Sequence, residues 1–352
     1  MRAALRRREF LAGALSLAGC RRSGKFAPGP SQVSIARAAD YGGGLYDLLR
    51  RILAEHHPAL AGRRVLLKPN LVEFEPGSVI NTHPVMVHAA LEAFRSLGAE
   101  VRIAEGPGHR RNTLDLADAA GYFRVIPRFE ELFTDLNTDD PAPLDLSRPT
   151  SRLRRLYLPR TALACDLLVS MPKMKTHHWT GATLSMKNLF GLVPGAIYGW
   201  PKNVLHWSGI HECIVDLYHA FPRSFAIVDG VVGMEGNGPI QGTPKAAGVV
   251  VAGPDLAAVD ATCCRLMRIE PAAIGYLRMA AGPGALTEAR IRQIGEPVEG
   301  AGSSFELIPE FRAIRLRNPG RPIEEGARRN APDRGRCTWT GFSWPPWSPA
   351  PA

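Results

Sequence analysis

The feature that most constrains the fold is an alternation between apolar runs of strand length and stretches whose apolar residues recur at helical spacing. Gln32-Val-Ser-Ile-Ala-Arg37 and Arg64-Val-Leu-Leu-Lys-Pro-Asn-Leu-Val72 read as strands, and Leu45, Leu48, Leu49, Ile52 and Leu53 mark a helix between them. Thr82-His83-Pro84 opens the next helix, with proline near its first position, and Gly98 closes it before the strand Glu100-Val-Arg-Ile-Ala-Glu-Gly106. The pattern resumes with strands at 155–158, 163–170, 224–229 and 246–252, and with helices at 212–221, 254–267 and 271–281. Such an order specifies an α/β fold with mainly parallel sheets and helices on both faces. A Pro-, Asp- and Arg-rich stretch at 141–155 suggests two lobes, about 27–145 and 155–300.

A chain of 352 residues with a net charge of +10 raises the question of nucleic acid. The charge sits at the ends: residues 1–26 carry seven basic and one acidic side chain, and residues 301–352 carry eight and five. Only +1 is left for the middle of the chain, so an extended basic face for nucleic acid is not expected. Arg6-Arg-Arg-Glu-Phe-Leu11 followed by an apolar stretch matches a twin-arginine export leader, and Leu17-Ala-Gly-Cys20 matches a lipoprotein cleavage box. The expectation is export across the cytoplasmic membrane by the twin-arginine machinery. The product would be periplasmic or on the cell surface, lipid-anchored at Cys20. Residues 301–352 form an extension whose Pro- and Trp-rich end, from 318, is expected to be poorly ordered.

Cys165, Cys213, Cys263, Cys264 and Cys337 form no Cys-x-x-Cys pair, so neither an iron–sulfur cluster nor a disulfide framework is expected. No Gly-x-Gly-x-x-Gly or Walker lysine motif is present, which removes both common nucleotide readings.

Titratable residues gather at strand ends, where open α/β sheets place their ligands. Lys68-Pro69-Asn70, Glu105-Gly-Pro-Gly108, the stretch from Lys173 to Asn188 and the stretch from Asp229 to Pro239 are four loops expected to converge. Lys68, Asn70, Lys173, Lys175 and Asn188 suit a carboxylate or phosphate. His177, Lys187, His206 and Glu235 suit proton transfer, and His178 with Asp229 would suit a metal ion. Asp255 fits the first turn of a helix, leaving Asp260 to face the pocket.

Leu66-Leu-Lys-Pro-Asn-Leu-Val72, Met171-Pro-Lys-Met-Lys-Thr-His177, Thr183-Leu-Ser-Met-Lys-Asn-Leu-Phe-Gly191, Met234-Glu-Gly-Asn-Gly-Pro239 and Asp255-Leu-Ala-Ala-Val-Asp260 resemble the domain-of-unknown-function 362 family, over roughly residues 33–300. Many members of that family carry ferredoxin-type cysteine clusters, and this chain has none. A fainter likeness is to lactate racemases that use a nickel-pincer nucleotide. It rests on His177, Lys187 ten residues on, Pro194-Gly195 and the later His206, whose spacing differs. That likeness implies a lysine that anchors a cofactor and histidines that handle metal and protons. The function expected is an enzyme acting on a small anionic or carbonyl-bearing substrate. The alternative is a lipid-anchored protein that binds an anion or metal without turnover.

Overall fold

The computed structural model describes residues 30–109, 112–281 and 286–316. The expected leader with Cys20, and the tail from 318, lie outside the described residues. Twelve strands occur there: β1 (Ser31–Arg37), β2 (Arg64–Pro69), β3 (Glu100–Glu105), β4 (Phe133–Asp135), β5 (Pro141–Asp145), β6 (Arg155–Pro159), β7 (Leu167–Met171), β8 (Lys173–His177), β9 (Gly181–Thr183), β10 (Ser224–Asn237), β11 (Gln241–Gly253) and β12 (Ile291–Gly295).

Ten of them make one sheet in the order β12-β1-β11-β10-β7-β2-β3-β4, with β8 on β10 and β9 on β8. Strands β10, β7, β2, β3 and β4 run parallel, whereas β11 is antiparallel to both β10 and β1. The fold is therefore α/β on a mixed, mostly parallel sheet. Both expected lobes feed that one sheet, since β1 lies between β11 and β12 and β2 lies beside β7. The stretch at 141–155 instead contributes to the separate hairpin β5–β6.

Strand β2 shows why the sheet is continuous. Val65 and Leu67 enter the apolar core on one face and Leu66 the core on the other. A strand buried on both faces needs neighbours on both edges to satisfy its backbone. The Leu45–His56 and Pro84–Ser96 helices pack on the first face, and the Ile210–Ala220 and Leu256–Leu266 helices on the second. Leu45, Leu48, Leu49, Ile52 and Leu53 are buried, as their spacing predicts. His83 caps its helix, its Nδ1 accepting from Val85 N, and Asp255 caps the Leu256–Leu266 helix. Among the described residues no helix is long and apolar enough to cross a membrane.

Two readings of local structure change. The glycine-rich 233–239 stretch, expected as a loop, extends β10 into a long hairpin with β11, register shifting between Gly230 and Val232. Residues 173–177, also expected as loop, form β8, with Lys173 beside Asp229 and Lys175 beside Met234. Every side chain of β8 is buried, so polar residues occupy a strand whose backbone needs are met by β10 and β9.

The extension is part of the body as far as residue 316. Phe305 is fully buried, Gly236 N donates to Glu306 O, and Glu270 N donates to Ile314 O. Phe305→Ala is expected to cost about 3–5 kcal/mol in chemical unfolding, the usual range for emptying an aromatic core position.

Candidate functional site

The parallel strands deliver two buried ion pairs to their carboxyl ends. Lys68 Nζ at the end of β2 lies 2.5 Å from Glu105 Oε1 at the end of β3. The same ammonium donates to Pro69 O at 3.0 Å and Asn188 Oδ1 at 3.3 Å. Asn188 returns the contact through Nδ2, which donates to Lys68 O and to Ser170 Oγ, both at 3.1 Å. Gly191 is required beside this pair, because a Cβ there would collide with Glu105 Oε1 and Lys68 Nζ.

Lys173 Nζ lies 2.6 Å from Asp229 Oδ2. Tyr41 OH donates to Asp229 Oδ1 at 2.9 Å, and His83 N donates to Oδ2 at 2.9 Å. The Tyr41 and His83 rings stack with centroids 3.7 Å apart. Burial lowers the pKa of both Lys68 and Lys173, and the partner carboxylate opposes that in each case. Both lysines, predicted as anion ligands, are thus consumed by internal pairs. Asn70 is buried and bonds Thr82 through its backbone N, while its Oδ1 has no partner among the described residues.

Three further lysines have no carboxylate within salt-bridge distance among the described residues. Lys175 is fully buried and donates to Ile80 O at 2.9 Å and Pro239 O at 3.1 Å. Lys202 is buried and donates to Gly106 O and to Phe190 O. Lys187 is partly exposed, and its Nζ stands 4.1 Å over the Phe190 ring. Burial, joined by repulsion from neighbouring lysines, drives Lys175 well below the usual ammonium range. Burial first, then the Lys68 charge, brings Lys187 down to about 7.

Around Lys187 stands a file of imidazoles. His177 and His178 are stacked 5.0 Å apart, and Trp179 links His178 to His206 edge-on at 5.4 and 5.0 Å. Their tautomers follow from their bonds. His177 Nδ1 accepts from Trp179 N at 3.0 Å and from Thr180 N at 3.3 Å, so its proton sits on Nε2. His178 Nδ1 donates to Gly238 O at 2.8 Å and His206 Nδ1 donates to Lys202 O at 3.1 Å, which leaves Nε2 of a neutral His206 unprotonated. Burial and then the Lys187 charge hold the His177 imidazole well below its usual range and bring His206 down to about 4, so these two are uncharged at neutral pH.

The structure therefore brings His177, His178, His206, Lys175 and Lys187 together and leaves Glu235 out. Glu235 Oε2 accepts from Glu306 N at 2.8 Å and pairs with Lys245 at 3.3 Å, tying the extension to β10. The metal reading does not fit either. Both Asp229 oxygens are already bonded, Oδ1 by Tyr41 and Oδ2 by Lys173 at the first residue of β8, whereas His178 follows the last residue of that strand. Among the described residues no three His, Cys, Asp or Glu side chains are placed to hold a metal ion.

Sequence reasoning placed the Glu105 loop among the converging strand ends but gave Glu105 itself no role, and it missed Tyr41 and Lys202. Register pairs Leu67 with Ile103 and so sets Lys68 one residue out of step with Glu105, which leaves strand phase with no signal for the pair. Asp260 was expected to face the pocket. It acts one layer below, Oδ1 accepting from Ser185 N at 2.7 Å and Oδ2 from Met186 N at 3.0 Å. It thereby fixes the Ser185–Asn188 turn that carries Lys187 and Asn188. A cleft of about 490 Å³ opens elsewhere, lined by Arg64, Glu100 and Cys165 near the opposite strand ends.

The family described as "Domain of unknown function (DUF362)" matches residues 65–265, more than half of the chain. The chain belongs to the DUF362 family. The matched span runs from β2 through Asp260 and so holds both ion pairs and the Lys187 cluster, but not Tyr41 or the 301–316 segment. A thylakoid-associated protein of Synechocystis sp. is 28% identical over 253 residues, covering 69% of this chain and 76% of the relative. The lactate racemase apoprotein of Thermoanaerobacterium thermosaccharolyticum is similar with a TM-score of 0.44 and 15% identity, covering 68% of this chain. This chain spans 57% of that one.

Lys187 is held against its preference for charge, which fixes the sign of its effect on stability. Its folded pKa of about 7 lies below the ordinary 10.5, so the unfolded chain binds more protons between those values. Its unfavourable contribution is complete below about 7 and fades as pH rises toward 10.5. Lys187→Met is expected to be more stable than the parent by about 1–2 kcal/mol at pH 6, the advantage vanishing by pH 10.5, in denaturant titrations across that range.

Proposed function

We propose that this DUF362 protein is an enzyme that takes a small anionic substrate at Lys187 and moves a proton on it. The observation that carries this reading is a partly exposed lysine with no acceptor among the described residues, beside buried lysines already bound to carboxylates or carbonyls. Without an anion, burial and repulsion from neighbouring lysines weaken the hold of Lys175 and Lys187 on their protons. An arriving carboxylate or phosphate offsets that repulsion, so binding is coupled to proton uptake. Lys187 and His177 Nε2–H are the groups placed to touch the anion. Lys175 and Lys202 act through their charge.

A lysine poised near neutrality is suited to general acid and base work as well as to binding. Titration calorimetry with malonate and inorganic phosphate tests the site. Affinity is expected to fall toward tenfold per pH unit above 7 and to lose that slope in Lys187→Met. No binding of either anion at pH 6 would sink the reading. A binding protein needs complementarity and no poised lysine. Retained affinity without consumption of any small carboxylate or phosphate ester would favour that alternative.

The place of action is proposed to be outside the cytoplasmic membrane, with Cys20 lipid-anchored after twin-arginine export. Arg6-Arg-Arg-Glu-Phe-Leu11 and Leu17-Ala-Gly-Cys20 support this. Cys20→Ser is expected to move the protein from the membrane to the soluble fraction. Replacing Arg6 and Arg7 with lysine is expected to hold it in the cytoplasm. Fractionation unchanged in both variants would refute the location.

A further inference from the structure

Five lysines converge at the strand ends, and four are committed. Lys68 is held by Glu105, Pro69 O and Asn188, and Lys173 by Asp229 and Tyr41. Lys175 is held by Ile80 O and Pro239 O, and Lys202 by Gly106 O and Phe190 O. All four are buried. Lys187 alone is partly exposed, and among the described residues no acceptor lies within hydrogen-bonding distance of its Nζ.

We propose that Lys187 is a nucleophile that forms an imine with a carbonyl carbon beside an anionic group, as in a 2-oxo acid or an aldehyde acid. This rests on the anion-site reading above. It adds the covalent step and the substrate class.

A lysine amine attacks carbonyls only when unprotonated, and it stays so when desolvated and crowded by other cations. The Phe190 ring beneath Lys187 offers no carboxylate to hold the proton, and Lys68 stands near enough to repel it. The flanking imidazoles are complementary. His177 presents Nε2–H as a donor, and His206 presents an unprotonated Nε2 as an acceptor. The lone pair of Nζ forms the C–N bond while the carbonyl π pair moves to oxygen. His177 Nε2–H hydrogen-bonds that oxygen, while His206 Nε2 accepts a proton from the nitrogen and returns it to the oxygen. The C–O bond then breaks as the nitrogen lone pair closes the C=N bond. Both amine hydrogens leave with the oxygen as water, relayed in turn by His206, and no oxidant or reductant is consumed.

Trapping of the full chain with glyoxylate and sodium cyanoborohydride at pH 7, read by intact mass and peptide mapping, tests the step. Hydride reduces the imine to a stable secondary amine. The expected result is one carboxymethyl group per chain on Lys187, formed roughly tenfold or more faster than on Lys245. Lys187→Arg is expected to block the adduct while its circular dichroism spectrum stays that of the parent, which separates lost chemistry from lost fold. Malonate binding with no adduct on Lys187, or labelling of Lys245 at a similar rate, overturns the imine and leaves the anion site standing. Failure of malonate to bind overturns both.

Discussion

The carboxylate of Asp229 is the point on which the site depends. It accepts from Lys173 Nζ, Tyr41 OH, His83 N and Val231 N. Those donors come from the turn after β1, the start of the Pro84–Ser96 helix, β8 and β10 itself. A buried charge costs several kcal/mol unless its partners are complete, so the set forms together or not at all. The consequence for geometry is specific. Strand β7 stops at Met171, and Asp229 N donates to Pro172 O, so β8 continues along β10 in a fixed register. His177 and His178, at the far end of β8, are positioned by that register.

The second ion pair does for the Lys187 turn what the first does for β8. Lys68 and Glu105 lock the ends of β2 and β3, and Asn188 spans from Lys68 to Ser170 on β7. Asp260 holds the same turn from beneath through Ser185 and Met186. Burial pushes the Asp260 carboxyl up to about 7 despite those bonds, so the turn is secured by a group that itself resists burial. Lys187 is carried on a scaffold fixed on two sides, although nothing fixes its own ammonium.

Much of this was legible in the sequence where apolar periodicity was strong. The Leu45–His56 and Pro84–Ser96 helices and strands β2, β3 and β7 follow from residue spacing, because apolar burial sets both pattern and position. Strand β8 was not legible, since Lys173, Lys175, Thr176 and His177 read as solvated loop while all are buried. Sequence pattern assumes that charge faces water, and that assumption fails where pairs neutralise each other inside. The same failure made Lys68 and Lys173 candidate anion ligands and left Glu105 unassigned, for residues 37 and 56 positions apart announce no pairing. Glu235 erred the other way: the glycines around it serve a hairpin, and its carboxylate secures the segment after residue 300.

The lysines can be ranked by what would be lost without them. Removing Lys68 or Lys173 strands a buried carboxylate, which makes each indispensable to the fold. Lys175 and Lys202 satisfy carbonyls that would otherwise be buried without a donor. No such debt attaches to Lys187, whose Nζ, among the described residues, meets the Phe190 ring face while burial and the Lys68 charge oppose its protonation. Under the proposed function, Lys187 is the lysine of this site left to meet a ligand.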